Sequence, residues 1–249
     1  FRSVFDGFET FLFVPSTTSK SGVHIHDYID SKRTMTVVII ALLPALLFGM
    51  YNVGYQHNLA VGADPGFLMT FIFGFLAVLP KIIVSYVVGL GIEFAVAQVK
   101  KEEIQEGFLV SGLLIPMIMP VEAPLWMVAL STAFAVIIGK EIFGGTGMNI
   151  WNPALLARAF FFFSYPSMIS GDKVWIAGDT ADAISQATPL AQMALGQPLT
   201  YSTADMFWGF IPGSVGETSA FCILIGAVIL LLTNVASWRT MISVFVGGY

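Results

Sequence analysis

Two carboxamides, Asn149 and Asn152, stand at the end of a glycine-rich run, Gly139-Lys-Glu-Ile-Phe-Gly-Gly-Thr-Gly-Met-Asn-Ile-Trp-Asn-Pro153. Gly144, Gly145 and Gly147 allow a backbone to approach a ligand closely. Pro153 suits the first turn of a helix, with Asn152 before it as cap. The segment therefore reads in two ways. It is a tight re-entrant turn leading into a capped helix, or it is the wall of a site where the two amides meet the polar edge of a buried planar ligand. A second group lies upstream, where Glu93 follows Gly89 by four residues and shares its helical face. A carboxylate inside an apolar helix defaults to an ion or proton pathway; at the interface it is merely solvated. Lys81 and Arg158 interrupt apolar sequence, where each must be paired, face the interior or snorkel. Downstream, Asp182-Ala-Ile-Ser185-Gln-Ala-Thr188 offers a carboxylate and two hydroxyls, and on composition alone it is a polar turn. His24, His26, Asp27 and Asp30 are of metal-ligating type, but Lys32 and Arg33 beside them favour an ordinary polar juxtamembrane segment. The chain has no Walker loop and no dinucleotide fingerprint, and its single cysteine, Cys222, cannot hold an iron–sulfur cluster by itself.

The elements that must position these groups follow from composition. Of 249 residues, 56% are apolar and 11% charged, with a net charge of −5. A soluble domain carries about 25% charged residues, so an ordinary soluble enzyme is excluded, as are a disordered chain and a disulfide scaffold. An all-α polytopic membrane protein remains. Crossing roughly 30 Å of hydrocarbon takes about 20 apolar residues. Residues 34–54, 124–139 and 219–238 are free of charge and read as crossings. Residues 67–99 carry only Lys81 and Glu93, with Pro80 where a kink falls, and read as one bent helix. The runs 107–119 and 153–165 are short and broken. If 67–99 crosses once, Arg2, Lys20, Lys32, Arg33, Lys100, Lys101, Lys140 and Arg239 share one side and Lys173 takes the other. That asymmetry makes the N-terminus cytoplasmic. Residues 166–218 then form an outer loop with Asp172, Asp179, Asp182, Asp205 and Glu217, while residues 1–14 suit an amphipathic helix at the cytoplasmic interface. An apolar run from Thr240 is still in progress at Tyr249, which reads as the end of a fragment.

Taken together, the motifs resemble the NqrB/RnfD family, and within it the NqrB branch, which belongs to the sodium-translocating NADH:quinone oxidoreductases. They are His24-x-x-Asp-x-x-Asp-x-Lys-Arg33, Glu106-Gly-Phe, Phe143-Gly-Gly-Thr-Gly-x-Asn-x-x-Asn-Pro-Ala-Leu155, Arg158-Ala-Phe, Tyr165-Pro, Ile169-Ser-Gly-Asp-x-Val-Trp175 and Ile211-Pro-Gly-Ser-x-Gly-Glu217. The resemblance implies a urea-transporter-like helical repeat with short broken helices, truncated after the first of two inverted repeats. Residues 1–33 would be a cytoplasmic segment, 34–165 the membrane helices of the first repeat, 166–218 an outer loop bearing FMN, and 219–249 the start of the second repeat.

It also implies roles. The 182–188 segment resembles the signature at which a flavin transferase esterifies FMN phosphate to the final threonine, here Thr188, with Asp182 and Ser185 in the motif and Gln186 where most such motifs have glycine. Asn149 and Asn152, with Arg158 nearby, would contact a non-covalent riboflavin. Gly89 and Glu93 would line the quinone region, and Glu93 and Asp6 would serve sodium uptake. Asp6 stands where the family has glutamate, Leu90 where it has a second glycine and Met148 where it has arginine. The implied setting is the bacterial inner membrane, in a translocating enzyme whose partners include a flavin-bearing and an iron–sulfur subunit, with no nucleic acid. Two alternatives remain at this point: the RnfD branch, which belongs to the Rnf ferredoxin:NAD oxidoreductase complex, and a solute channel of the urea-transporter type without redox function.

Overall fold

The computed structural model describes residues 21–23, 31–101, 107–168, 175–178 and 188–248. All regular secondary structure among them is helical. Two long helices, α1 (Ser31–Val61) and α2 (Phe67–Lys100), form an antiparallel hairpin. Glycines set its closeness. A Cβ on Gly54 would lie 1.9 Å from the Thr70 carbonyl oxygen, and one on Gly74 would lie 1.7 Å from that of Met50. Small residues at such crossings let two backbones touch where lipid supplies no hydrophobic drive for association. Pro80 lies within α2 and does not end it, so residues 67–99 belong to one helix, as the sequence suggests. At 1.5 Å per residue α2 is about 50 Å long.

The buried face of α2 consists of Thr70, Gly74, Val78, Lys81, Ser85, Gly89, Glu93 and Ala97, recurring every three or four residues. Its outer face is apolar, with Leu76, Ile83 and Val87 all exposed. A soluble helix has the opposite arrangement, apolar inward and polar outward. The inversion is what a hydrocarbon solvent demands.

Helices α3 (Phe108–Ile118) and α4 (Leu125–Gly139) form a second hairpin against α2. Its tip, residues 119–124, lies beside Lys81, whose ammonium donates to the Val121 carbonyl. Its far end lies beside Glu93, which pairs with Lys140. Lys81 and Glu93 are twelve residues apart, so the tip sits about 18 Å along α2 from the ion pair. Residues 107–119 and 124–139 therefore enter and leave from one end of the bundle, so 124–139, expected as a crossing of its own, starts instead midway along α2. A 3-10 turn, Glu141–Phe143, follows α4, and α5 (Pro153–Ser164) returns along it, with Phe134 stacked on Phe160 at 4.3 Å and Trp126 edge-on to Tyr165 at 5.4 Å.

Short helices α6 (Pro189–Ala194) and α7 (Thr203–Trp208) precede α8 (Ala220–Leu232) and α9 (Trp238–Gly248). Helix α8 packs on α1, where a Cβ on Gly226 would lie 2.4 Å from the Ala41 carbonyl oxygen. The run 219–238 is broken: α8 stops at Leu232, and Asn234 adopts a left-handed conformation with φ 56°. Among the described residues, three helices are long and apolar enough to cross a membrane, Ser31–Val61, Phe67–Lys100 and Leu125–Phe143.

Two glycines of α2 separate packing from propensity. Gly74→Ala must push α1 and α2 apart and should destabilise by about 1–3 kcal/mol, whereas a Cβ on Gly91 meets nothing within 4 Å. Gly91→Ala should be neutral or stabilising by up to about 1 kcal/mol. Thermal unfolding of the two purified variants in one detergent checks the contrast.

Candidate functional site

The α2–α4 interface carries a buried ion pair. Glu93 and Lys140 are joined through Oε1 and Nζ, and each side chain is 4% exposed. That exposure sets aside the reading of Glu93 as a solvated interfacial carboxylate, which would be open to water. The other carboxylate oxygen, Oε2, has no hydrogen-bond partner among the described residues. Just outside, Lys100 approaches Glu141 at 3.6 Å and donates to its carbonyl at 3.2 Å. Sequence reading found Glu93 but not Lys140, because the partner is supplied by another helix 47 positions away.

Gly89 shares the buried face of Glu93, as the i, i+4 spacing requires. The space over it is filled: a Cβ there would fall 1.9 Å from the ring of Phe108. That ring is fully buried and meets Tyr86 edge-on at 6.4 Å, and the Tyr86 hydroxyl donates to the Leu109 carbonyl at 2.6 Å. Gly89 thus admits the first residue of α3 against α2.

The two remaining intramembrane cations converge on one end of α3. A helix that stops inside a bundle leaves its last carbonyls without partners, and its negative dipole end favours cations. Here Gly216 donates its backbone N–H to Met117 at 2.8 Å, Arg158 donates to Ile118, and Lys81 donates to Val121 in the following turn and to Ala77 of its own helix at 3.1 Å. Arg158 also approaches Glu217 at 3.4 Å, and the Ser214 hydroxyl donates to that same carboxylate oxygen. The Arg158 guanidinium is thus held on protein acceptors. The signal in the sequence was the proline series Pro116, Pro120 and Pro124, which marks the break that the cations serve.

The glycine-rich segment lies at the end of the bundle that holds Lys140. Gly144, Gly145 and Gly147 have φ of 111°, 94° and 87°, conformations that side chains disfavour. Asn152 caps α5, its oxygen accepting from Ala154 at 2.9 Å and Leu155 at 3.3 Å. Asn149 accepts from Gly147 at 3.2 Å and donates to the Trp151 carbonyl at 2.9 Å. Asn149 therefore uses both ends of its amide locally, while Asn152 uses its oxygen and keeps its NH2 clear of described partners. Residues 149–152 are half-buried to exposed, so this backbone is not enclosed within the chain.

Thr188 is half-buried at the start of α6, where its hydroxyl oxygen accepts from Ala191 at 3.2 Å. Two internal devices order the stretch that follows: a Gln192–Thr200 bond of 2.9 Å and a reciprocal cap between Ser202 and Asp205. Asp6, His24, His26, Asp27, Asp30, Glu106, Asp182, Ser185 and Gln186 lie outside the described residues. Among the described residues, no cluster of three or more His, Cys, Asp or Glu is placed to hold a metal ion.

An apolar exterior, a small and polar interior stripe and helices that end inside the bundle on charged side chains define a polytopic helical membrane protein. Residues 18–249 match the NQR2, RnfD, RnfE family, and the chain belongs to it. It is 44% identical over 271 residues to the B-type subunit of the Na(+)-translocating NADH-quinone reductase of Chromohalobacter salexigens, an alignment covering 99% of this chain and 66% of that protein. It is 40% identical to the same subunit of Azotobacter vinelandii (98% and 67% covered) and 39% identical to that of Pseudoalteromonas atlantica (99% and 67%). The chain spans about two thirds of the length of these relatives.

Removing one partner of a buried ion pair strands the other charge, at a cost of about 3–5 kcal/mol, whereas replacing both with apolar groups is often neutral. Glu93→Leu and Lys140→Met should each destabilise the protein by that order. The double variant should recover most of the loss in the same detergent melting assay.

Proposed function

We propose that this chain is an electron-carrying membrane subunit of a sodium-translocating NADH:quinone reductase, holding covalent FMN and riboflavin and delivering electrons to quinone with coupled sodium transport. What carries the reading is that its relatives over nearly its whole length are the B-type subunits of such reductases. The basic groups support a cytoplasmic N-terminus in the bacterial inner membrane: Lys32 and Arg33 begin α1, and Lys100, Lys101 and Lys140 lie at the same end of the bundle.

Flavins supply one-electron carriage between a two-electron donor and the quinone; the protein positions them and tunes their surroundings. Thr188 fits an esterified threonine, because the residue is half-buried and its hydroxyl, among the described residues, is engaged only as an acceptor, and Asp182 and Ser185 complete the motif read by a flavin transferase. Asn152 fits a riboflavin contact through its NH2. Asn149 joins it only by giving up a turn hydrogen bond. Arg158 acts indirectly, by holding the end of α3. Gly89 and Glu93 line the quinone region in this reading, and a ring at Gly89 requires Phe108 to move. Sodium at Glu93 exchanges with the Lys140 ammonium, since the carboxylate is already neutralised, and Asp6 serves sodium uptake in the same reading. The partners are the flavin-bearing and iron–sulfur subunits of the complex.

The decisive experiment is flavin fluorescence in a denaturing gel. Thr188→Ala should abolish the denaturation-resistant signal of this chain while the complex still assembles, and a persisting signal would place the flavin elsewhere. A solute channel would carry no such signal in the wild type.

For riboflavin, Asn152→Asp separates cap from ligand contact. It keeps the capping oxygen, so the ~1 kcal/mol that a cap contributes is retained, but it removes the NH2. Extractable riboflavin should fall while thermal stability holds. Full riboflavin content in Asn152→Asp would leave Asn152 as a helix cap alone.

A further inference from the structure

The end of the α1–α2 hairpin away from Lys100 and Lys140 holds a cavity of about 250 Å³, walled by the last turns of α1, the loop between the helices and the first turn of α2. Polar bonds fix its shape. Asn58 donates to the Thr70 hydroxyl at 2.8 Å, Thr70 donates to the Gly66 carbonyl at 2.8 Å, and the Ala63 backbone N–H donates to the Asn58 carbonyl at 3.0 Å. Three rings line the cavity: Tyr51 lies 5.0 Å from Phe67 and 6.3 Å from Tyr55, and Tyr55 is met edge-on by Phe210 at 5.3 Å. Asp64, exposed in the loop, is the one charged group among the described residues that line it.

A carboxylate beside aromatic rings suits an organic cation, since ring faces carry partial negative charge and the carboxylate supplies a full one. Helix α2 begins at the same cavity, with no side-chain cap and no acidic residue in its first turn, so its leading N–H groups favour a negative group. Asp64 and the first residue of α2 are three positions apart, and the cavity therefore offers both signs side by side. Depth selects a lipid over a soluble amine. From Lys100 back to Phe67, α2 covers about 50 Å, and a bilayer with its headgroups spans about 40–45 Å. With the lysine end in one headgroup layer, the cavity lies in the other, the level at which tyrosines are enriched. Phe67 and Leu68 beside it are 72% and 67% exposed, and the exposed Ile72 and Leu76 continue that apolar surface along α2 towards the membrane interior.

We infer that this cavity binds the headgroup of a zwitterionic, amine-bearing phospholipid, of which phosphatidylethanolamine is the simplest. The ammonium rests on Asp64 and the rings of Tyr51 and Tyr55, the phosphate lies at the start of α2, and an acyl chain follows Leu68, Ile72 and Leu76. An anionic phospholipid without an amine would bring its phosphate to Asp64 with nothing to neutralise the carboxylate. The site goes beyond the proposed redox function and stands whether or not this chain carries flavin or serves sodium. A lipid held there covers the exposed rings and fastens the turn of the hairpin to its leaflet.

Photocrosslinking of the assembled complex in lipid nanodiscs tests this. Phosphatidylethanolamine with a diazirine at the glycerol end of one acyl chain should label peptides from residues 51–70 about fivefold more strongly than the outward-facing α8 peptide, Ala220–Leu232. Excess unlabelled phosphatidylethanolamine should remove that preference, and the same excess of phosphatidylglycerol should not. Asp64→Asn, a change to one exposed side chain, should bring labelling down to the α8 level in a complex that still elutes intact. Removal by phosphatidylglycerol equal to that by phosphatidylethanolamine would mean an apolar shelf open to any lipid, and would overturn the headgroup assignment. Removal by an equal amount of soluble phosphoethanolamine would make the ligand a free amine and sink the lipid. Labelling of residues 51–70 no stronger than that of α8 in the wild type would mean that the cavity holds no specific lipid or is covered by another subunit, which overturns the inference outright. Unchanged labelling in Asp64→Asn would remove the carboxylate from the site and the charge argument with it. The first three of these outcomes are read on the wild type, so they do not depend on the variant folding.

Discussion

The structure depends on how a helix can end where there is no water. In hydrocarbon every backbone carbonyl needs a protein partner, and non-helical backbone is tolerated only when enclosed by protein or lining a cavity. Helix α3 stops after eleven residues, midway along α2; its last carbonyls are met by a backbone amide from the loop before α8 and by Arg158 from α5, and the turn that follows is held by Lys81 from α2. Three separate parts of the chain are tied to one helix end. The two cations that look most expensive in the sequence are the groups that make the break possible.

From that anchor the remaining packing follows. With its tip pinned at Lys81, the α3–α4 hairpin has its other end set by length alone, which brings Lys140 to Glu93 and Phe108 over Gly89. Close approach elsewhere comes from glycine: Gly54 and Gly74 between α1 and α2, and Gly226 against α1. The polar interior stripe of α2 is tolerable because Glu93 is paired with Lys140 and Lys81 is held on backbone carbonyls. An unpaired charge in such a place costs far more than any pairing returns.

The chain belongs to the NQR2, RnfD, RnfE family, and nearly all of it aligns with about two thirds of the B subunits of sodium-translocating reductases. The candidate positions divide by surroundings. Thr188 and Asn152 stand at helix starts, where their side-chain oxygens cap α6 and α5. Glu93, Lys140, Lys81 and Ser85 are enclosed between helices.

Composition and hydrophobic run length by themselves determined that this is an all-helical membrane protein, that residues 67–99 are one helix through Pro80, that 107–119 and 153–165 are too short to cross comfortably, and that Asn152-Pro153 starts a helix. These are local properties, set by the solvent and by the conformations of proline, glycine and capping residues, so one stretch of sequence contains the whole cause. The motifs also located the family. Only the tertiary structure decided that Lys140 neutralises Glu93, that Phe108 occupies the space above Gly89, that Arg158 and Lys81 serve the end of α3, and that α3 and α4 turn back at mid-depth. Each of these joins residues from different helices. Their positions depend on the register and direction in which helices pack, which is set by the summed fit of whole faces and is written in no single segment.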